Sequence, residues 1–307
     1  MTKLAITQSE KRFSESLAAK FSPGPLPGLK DFLFLTSSSD QGVIRNGGRN
    51  GARYAPQALL SAFKKLTWDQ GNQNYLFTQV EVSSPTEEEQ NFQQAQELEA
   101  KRIAGVLQKN GDRRICHLGG GHDHLYPLIQ ALASDYSRLV LINIDAHADT
   151  RTDEQFHSGT PIRQIARSFK GDFHVFQIGL HPFANSSSTL TKLERGHMHI
   201  LWKHSLDQPT GGLQDFFSPI KALITKETLV VFSLDADAID GSQVPGVSAV
   251  NPDGLTLTQI RYCWDQYQAL GFSHAPVLGI YELNPVYDTL AGISMRAMAS
   301  FIYSTLN

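Results

Sequence analysis

Short apolar runs alternate with longer segments of helical spacing along most of this chain. Residues 31–36, 74–82, 113–118, 139–144, 173–179, 199–203, 228–234 and 275–281 are the predicted strands, each a compact apolar run bounded by polar or turn-forming residues. Helices are predicted over 56–66, 85–109, the stretch after 124 to about 134, 159–169, 215–225, 256–270 and 289–304. Pro56 opens the first of these, where a missing backbone N–H costs nothing. Regular alternation of strand and helix predicts an α/β fold, a three-layer α/β/α arrangement with a mainly parallel central sheet covered on both faces. The helix over 85–109 is rich in Glu and Gln and is expected on the outside. Residues 1–30 are largely polar and end in a Pro/Gly cluster, so a short helix and a peripheral surface loop are expected there. With no internal repeat and no linker, residues 1–307 are expected to form a single domain.

Composition removes several function classes. The formal net charge is −3 and no Lys/Arg-rich block occurs, so no nucleic-acid partner is expected. No stretch approaches the roughly 18 consecutive apolar residues of a membrane span, and residues 1–7 lack the apolar core of a signal peptide. Cys116 and Cys263 lie in or beside apolar runs. Both read as reduced, buried thiols, which suits a cytoplasmic protein.

Candidate chemistry sits where the predicted strands end. The run 139–142 leads into Asn143-Ile144-Asp145-Ala146-His147-Ala148-Asp149. Asp145, His147 and Asp149 alternate, so an extended backbone would put all three on one face. Two carboxylates and an imidazole on a core strand cost several kcal/mol unless a cation compensates them. Extended, Asp145 and Asp149 would span about 13 Å. Metals in binuclear hydrolytic sites lie about 3.5–4 Å apart, so the chain must curl after Asp145. Asp235-Ala236-Asp237 follows the apolar run 229–234 in the same way, with Asp240 as a loop or supporting residue. His122 follows Gly119-Gly120-Gly121, whose lack of side chains lets the backbone turn tightly beside a site. Glu282 ends the last strand. His122, Asp145, Asp235 and Glu282 thus all fall at strand C-terminal ends, where open α/β sheets bind ligands. The two histidines and four aspartates match two divalent ions, and an oxygen-rich set without thiolate favours Mn²⁺. Such ions turn water into hydroxide near neutral pH, which suits attack on an electrophilic amidine-type carbon. Residues 42–53, with four glycines and with Arg45, Arg49 and Arg53, read as a flexible cationic loop meeting an anionic ligand.

Four ordered motifs now resemble the ureohydrolases, the family of arginase, agmatinase and formimidoylglutamase. They are Gly119-Gly120-Gly121-His122-Asp123, Asp145-Ala146-His147-Ala148-Asp149, Ser233-Leu234-Asp235-Ala236-Asp237 and Glu282-Leu283-Asn284-Pro285. The resemblance spans about residues 40–300. It implies an arginase-like fold and a centre of two Mn²⁺ on His122, Asp145, His147, Asp149, Asp235 and Asp237. It also implies His157 as proton shuttle, Glu282 as the acid that grips a cationic amidinium, and a homo-oligomer, trimer or hexamer. Three segments are most similar to the formimidoylglutamase branch: Arg45-Asn46-Gly47-Gly48-Arg49-Asn50-Gly51-Ala52, His157-Ser158-Gly159-Thr160-Pro161 and Pro245-Gly246-Val247-Ser248-Ala249. Arg151 stands two residues past Asp149, where arginases typically carry Asn and agmatinases Tyr. An Arg there can pair bidentately with a substrate carboxylate. The substrate implied is N-formimidoyl-L-glutamate, hydrolysed to L-glutamate and formamide, with Arg151, Arg45, Asn46 and Arg49 as binding residues. Another guanidino substrate, or a metal-binding scaffold without turnover, is the alternative. His124 departs from the family pattern and reads as a group supporting the ligands.

Overall fold

A computed structural model describes residues 15–22, 30–67, 75–83, 85–110, 113–207 and 212–306. Its sheet has eight strands: β1 (Lys30–Ser37), β2 (Tyr75–Glu81), β3 (Arg114–Gly119), β4 (Arg138–Ile144), β5 (Asp172–Leu180), β6 (His197–Trp202), β7 (Thr228–Asp235) and β8 (Val277–Tyr281). They lie in the order β2-β1-β3-β8-β7-β4-β5-β6, and every adjacent pair is parallel. The helices are α1 (Gln41–Arg45), α2 (Ala55–Lys64), α3 (Pro85–Gln90), α4 (Phe92–Asn110), α5 (Leu125–Leu132), α6 (Pro161–Ser168), α7 (Leu213–Lys221), α8 (Leu257–Gln268) and α9 (Ile293–Ser304). Apart from α1, which falls in the segment expected to be a flexible loop, and the division of the helix expected over 85–109 into α3 and α4, predicted and observed elements coincide within a few residues. Of the N-terminal segment expected to hold a short helix, a single 3-10 turn at Leu17–Lys20 is described, and residues 1–14 and 23–29 lie outside the described residues. No helix of the described residues is long and apolar enough to cross a membrane.

Period-two side-chain alternation splits the strand residues between two cores. Phe32, Phe34, Cys116, Val140, Ile142, Val230, Phe232 and Leu278 pack with α2, α7, α8 and α9 on one face. Leu33, Leu35, Ile115, Leu139, Leu141, Val175, Leu229 and Val231 pack with α4, α5 and α6 on the other. Both cysteines are buried and unbonded in the first core. The second face is apolar only toward the strand starts. Toward the strand ends it carries Ser37, His117, Asn143, Gln177 and Ser233, all fully buried.

That polar band corrects the expectation for 85–109. The segment breaks at Asn91, whose Oδ1 accepts the Gln94 N–H (3.1 Å) and starts a new helix. Glu88, Gln96 and Glu99 are buried, not outside. Glu99 accepts from Ser37 Oγ (2.6 Å) and faces His124 Nδ1 (2.8 Å), and Gln96 Nε2 donates to the Asp123 carbonyl (3.2 Å). A polar helix face reads as solvated only if the surface opposite is apolar, and here the sheet supplies partners.

Residues 42–53 are also more ordered than a flexible loop. Asp40 accepts the Gly51 N–H (2.6 Å) and Arg53 Nε (2.7 Å), fastening the segment at both ends of its turn. From β3 the chain skips the positions of β8 and β7 to form β4, and it fills both only later. The resulting change of direction opens a crevice over the C-terminal ends of β3, β8, β7 and β4.

Candidate metal centre

The curl required after Asp145 is present. Regular strand stops at Ile144, and Asp149 adopts a left-handed backbone (φ 51°) that non-glycine residues rarely take. Asn185 holds the curl: its Oδ1 accepts the Ala148 N–H (2.7 Å) and its Nδ2 donates to the Ala146 carbonyl (2.9 Å). Gln177 Nε2 donates to the Ala148 carbonyl (2.8 Å). After β7, Asp235 Oδ1 accepts the Asp237 N–H (2.9 Å) and turns the chain so that both carboxylates face the crevice. After β3, Gly120 passes so close to Ser39 that a Cβ would overlap the Ser39 carbonyl oxygen. Its own carbonyl accepts the Glu282 N–H (2.8 Å), and Glu282 Oε1 accepts the His122 N–H (3.0 Å).

The six aspartate and histidine side chains form two sets. With its Nε2–H given to Ser233 Oγ (2.9 Å), His122 turns Nδ1 toward Asp149 Oδ2 (2.8 Å), Asp145 Oδ2 (3.2 Å) and Asp235 Oδ2 (3.3 Å). Despite these distances, none of the three is an aligned hydrogen bond, and the buried Nδ1 is left without a partner. Three carboxylate oxygens converging on one imidazole nitrogen are the arrangement of ligands around a cation. In the second set His147 Nδ1 lies 3.3 Å from Asp237 Oδ2 and 3.6 Å from Asp145 Oδ1. Asp237 Oδ1 is buried and unpartnered. Asp145 belongs to both sets, so the residues could hold two ions with one shared carboxylate. The orphaned atoms and the oxygen-and-imidazole donor set fit divalent cations.

Electrostatics point the same way. Burial works against a charged His122, but Asp145, Asp149 and Asp235 outweigh it and raise its pKa well above the usual value. Asp237, against burial and with help from Asp145, raises that of His147. Asp235 is pushed well up by burial and by the carboxylates of Asp237 and Asp145. Carboxylates crowded closely enough to hold Asp235 toward its neutral acid would be relieved by a bound divalent cation.

A cavity of about 840 Å³ opens above this cluster, and Asn46, His147, Arg151, Asp235, Asp237 and Glu282 are among the residues lining it. Glu282 sits in a left-handed conformation (φ 64°), strain that the Gly120 and His122 hydrogen bonds hold in place. Burial and the nearby carboxylates of Asp237, Asp123 and Asp149 push its pKa up to about 8, against the His122 N–H bond. Arg151 is half-exposed in the wall and donates from Nη1 to Asn46 Oδ1 (3.0 Å).

The other sequence-predicted residues are arranged differently. Arg45 is not part of the cavity wall: its Nε donates to the Phe156 carbonyl (2.8 Å), and its guanidinium lies over the Phe92 ring. Arg49 lines the cavity, but its guanidinium is given to the carbonyls of Ser248 (3.0 Å) and Val247 (2.5 Å) and stacks on Tyr287. His157 is buried, with Nε2 2.8 Å from Asp153 Oδ2 and Nδ1 accepting the Gly159 N–H (3.0 Å). Asp240 caps its own loop by accepting from the Ser242 N–H (2.9 Å). His124 faces away from the two sets, toward Glu99.

Sequence reasoning assigns no role to Asn185, Gln177 or Asp153, and names Ser233 only as the first residue of a motif. Ser233 and Gln177 did carry a signal, since each interrupts an apolar run of its strand at a buried position. Nothing local marks Asn185 or Asp153.

The model of the arginase family matches residues 31–307. The chain belongs to the arginase family. The formimidoylglutamase of Legionella pneumophila (strain Lens) is 31% identical over 270 residues, covering 85% of this chain and 80% of that protein. Among solved structures, the formimidoylglutamase of Bacillus subtilis superposes with a TM-score of 0.79 at 19% identity, covering 95% of this chain and 90% of that one. The formiminoglutamase of Trypanosoma cruzi, solved with Mn²⁺, gives 0.73 at 22% identity over 95% and 97%. These structural likenesses establish an arginase-like fold for this arginase-family chain.

Proposed function

We propose that this protein hydrolyses N-formimidoyl-L-glutamate to L-glutamate and formamide, with two Mn²⁺ held by His122, Asp145, His147, Asp149, Asp235 and Asp237. When bound, the ions supply an activated water and polarise the amidine. Glu282 binds the amidinium; its buried carboxylate, surrounded by others, gains most from a cationic partner. His157, backed by Asp153, passes a proton to the departing amine. Arg151, steered by Asn46, takes a substrate carboxylate, while Arg45 and Arg49 hold the wall segments at 155–156 and 247–248 in place. The formimidoylglutamases among the relatives support this reading.

Arg151 is the observation that carries the choice of substrate. A half-exposed guanidinium in the cavity wall, 3.9 Å from Asp153 Oδ2, suits a substrate that brings a carboxylate and opposes agmatine, which has none. Turnover of formimidoylglutamate, arginine, agmatine and guanidinobutyrate with added Mn²⁺ tests it. Formimidoylglutamate should be the fastest; faster turnover of agmatine, or none on any of the four, would overturn the proposal. Arg151→Met should raise KM for formimidoylglutamate about 10- to 100-fold, the cost of a charge-assisted hydrogen-bond pair.

A further inference from the structure

The sheet edge away from the crevice carries a second concentration of metal-binding side chains. Among the described residues β6 is an edge strand, paired only with β5. At the strand starts, Asp172 and His174 of β5 and His197 and His199 of β6 lie on the face toward α7, with His174 in register with His197 and Phe176 with His199. Apolar residues would be ordinary there. Instead the rings stack: His174 lies 4.6 Å from His197 and 5.5 Å from His199, and His199 lies 4.3 Å from Phe176.

The polar atoms of this cluster converge. His174 Nε2 is 3.1 Å from Asp172 Oδ1, and His174 Nδ1 is 3.2 Å from His199 Nε2. Arg138 Nε holds the other oxygen of Asp172 at 2.7 Å, which fixes the carboxylate with Oδ1 toward the imidazoles. One ligand atom from each of Asp172, His174 and His197 lies within 4.8 Å of the other two. Their common centre is then at most about 2.8 Å from each, and a contraction of about 0.7 Å reaches zinc-ligand bond lengths. Side-chain rotation supplies that. His197 is exposed, which leaves the cluster an entry path and room for water as a further ligand.

We propose that Asp172, His174 and His197, with His199 beside them, form a separate site for one imidazole-preferring divalent cation of the Zn²⁺, Co²⁺ or Ni²⁺ type. The donor set differs from the carboxylate-rich crevice, so the two sites select different metals. An ion here ties the edge strand to β5, its neighbour in the sheet.

The proposal does not depend on the hydrolase reading. Protein saturated with Mn²⁺ is dialysed against Zn²⁺, and the metals per chain are counted. The expected result is one Zn²⁺ beyond the Mn²⁺ already bound, together with a melting temperature that rises with Zn²⁺. His197→Gln, an exposed change, and His174→Gln should each weaken Zn²⁺ binding by at least about tenfold and remove the thermal shift. The difference between wild type and His197→Gln counts the edge site whether or not the crevice is filled. Zn²⁺ that only replaces Mn²⁺ with the total unchanged, no uptake, or uptake unaltered in both variants would each overturn the proposal.

Discussion

The hydroxyl of Ser233 decides which nitrogen His122 offers to the crevice. Both side chains are fully buried, and Ser233 Oγ stands 2.9 Å from His122 Nε2. With Nε2–H given to Ser233, Nδ1 is the nitrogen that faces Asp145, Asp149 and Asp235 and is offered to a metal that displaces its proton. Ser233→Ala leaves Nε2 without a partner in a closed space. A buried donor so abandoned costs about 1–3 kcal/mol. The ring then turns to find another acceptor for Nε2–H, which carries Nδ1 out of its place among the three carboxylates. Metal binding must restore the original ring position, so the penalty falls on metal affinity. A cost of 1–3 kcal/mol corresponds to about 5- to 150-fold in affinity, in the range seen when a hydrogen-bond partner of a metal ligand is removed. Mn²⁺ titration of wild type and Ser233→Ala, read by the signal of free Mn²⁺, measures it directly. Urea unfolding of the metal-free proteins gives the stability cost separately. Mn²⁺ affinity unchanged within twofold would refute the reasoning and remove His122 Nδ1 from the ligand set.

Other consequences are equally open to measurement. Glu282→Gln should keep its metal content and lose about 100-fold or more in kcat/KM, because the charge paired with the amidinium is gone; normal kinetics would take Glu282 out of the site. His117 is held neutral by burial, with its pKa lowered to about 4 from 6.5. Between those values the unfolded chain binds the extra proton, so stability is full above about pH 6.5 and falls toward pH 4, by up to about 3 kcal/mol. Urea unfolding across that range should show a shallower fall in His117→Gln, and equal slopes would contradict this. Gly120→Ala drives a Cβ into the Ser39 carbonyl. Overpacking should cost about 1–3 kcal/mol in denaturant stability and displace Glu282, whose N–H bonds to the Gly120 carbonyl, so wild-type stability and activity together would refute it.

The sequence by itself determined the layers and the ligand types. Period-two alternation and abrupt transitions from apolar run to acid are local, and they marked β4 and β7 and the aspartates that end them. The chemistry of the donors, two imidazoles and four carboxylates without thiolate, is intrinsic to the residues and already argued for divalent metal. Tertiary structure decided the partnerships. Ser233 and His122 are 111 positions apart, and only the strand order β3-β8-β7-β4 brings them together. The same order makes Asp145 common to both ligand sets. Charge along the chain could not tell Arg151, half-exposed in the cavity wall, from Arg45 and Arg49, which give their guanidinium groups to backbone carbonyls. Nor could polarity tell that Glu88 and Glu99 are buried, because a helix face is judged by the surface opposite, and that surface is assembled from strands remote in sequence.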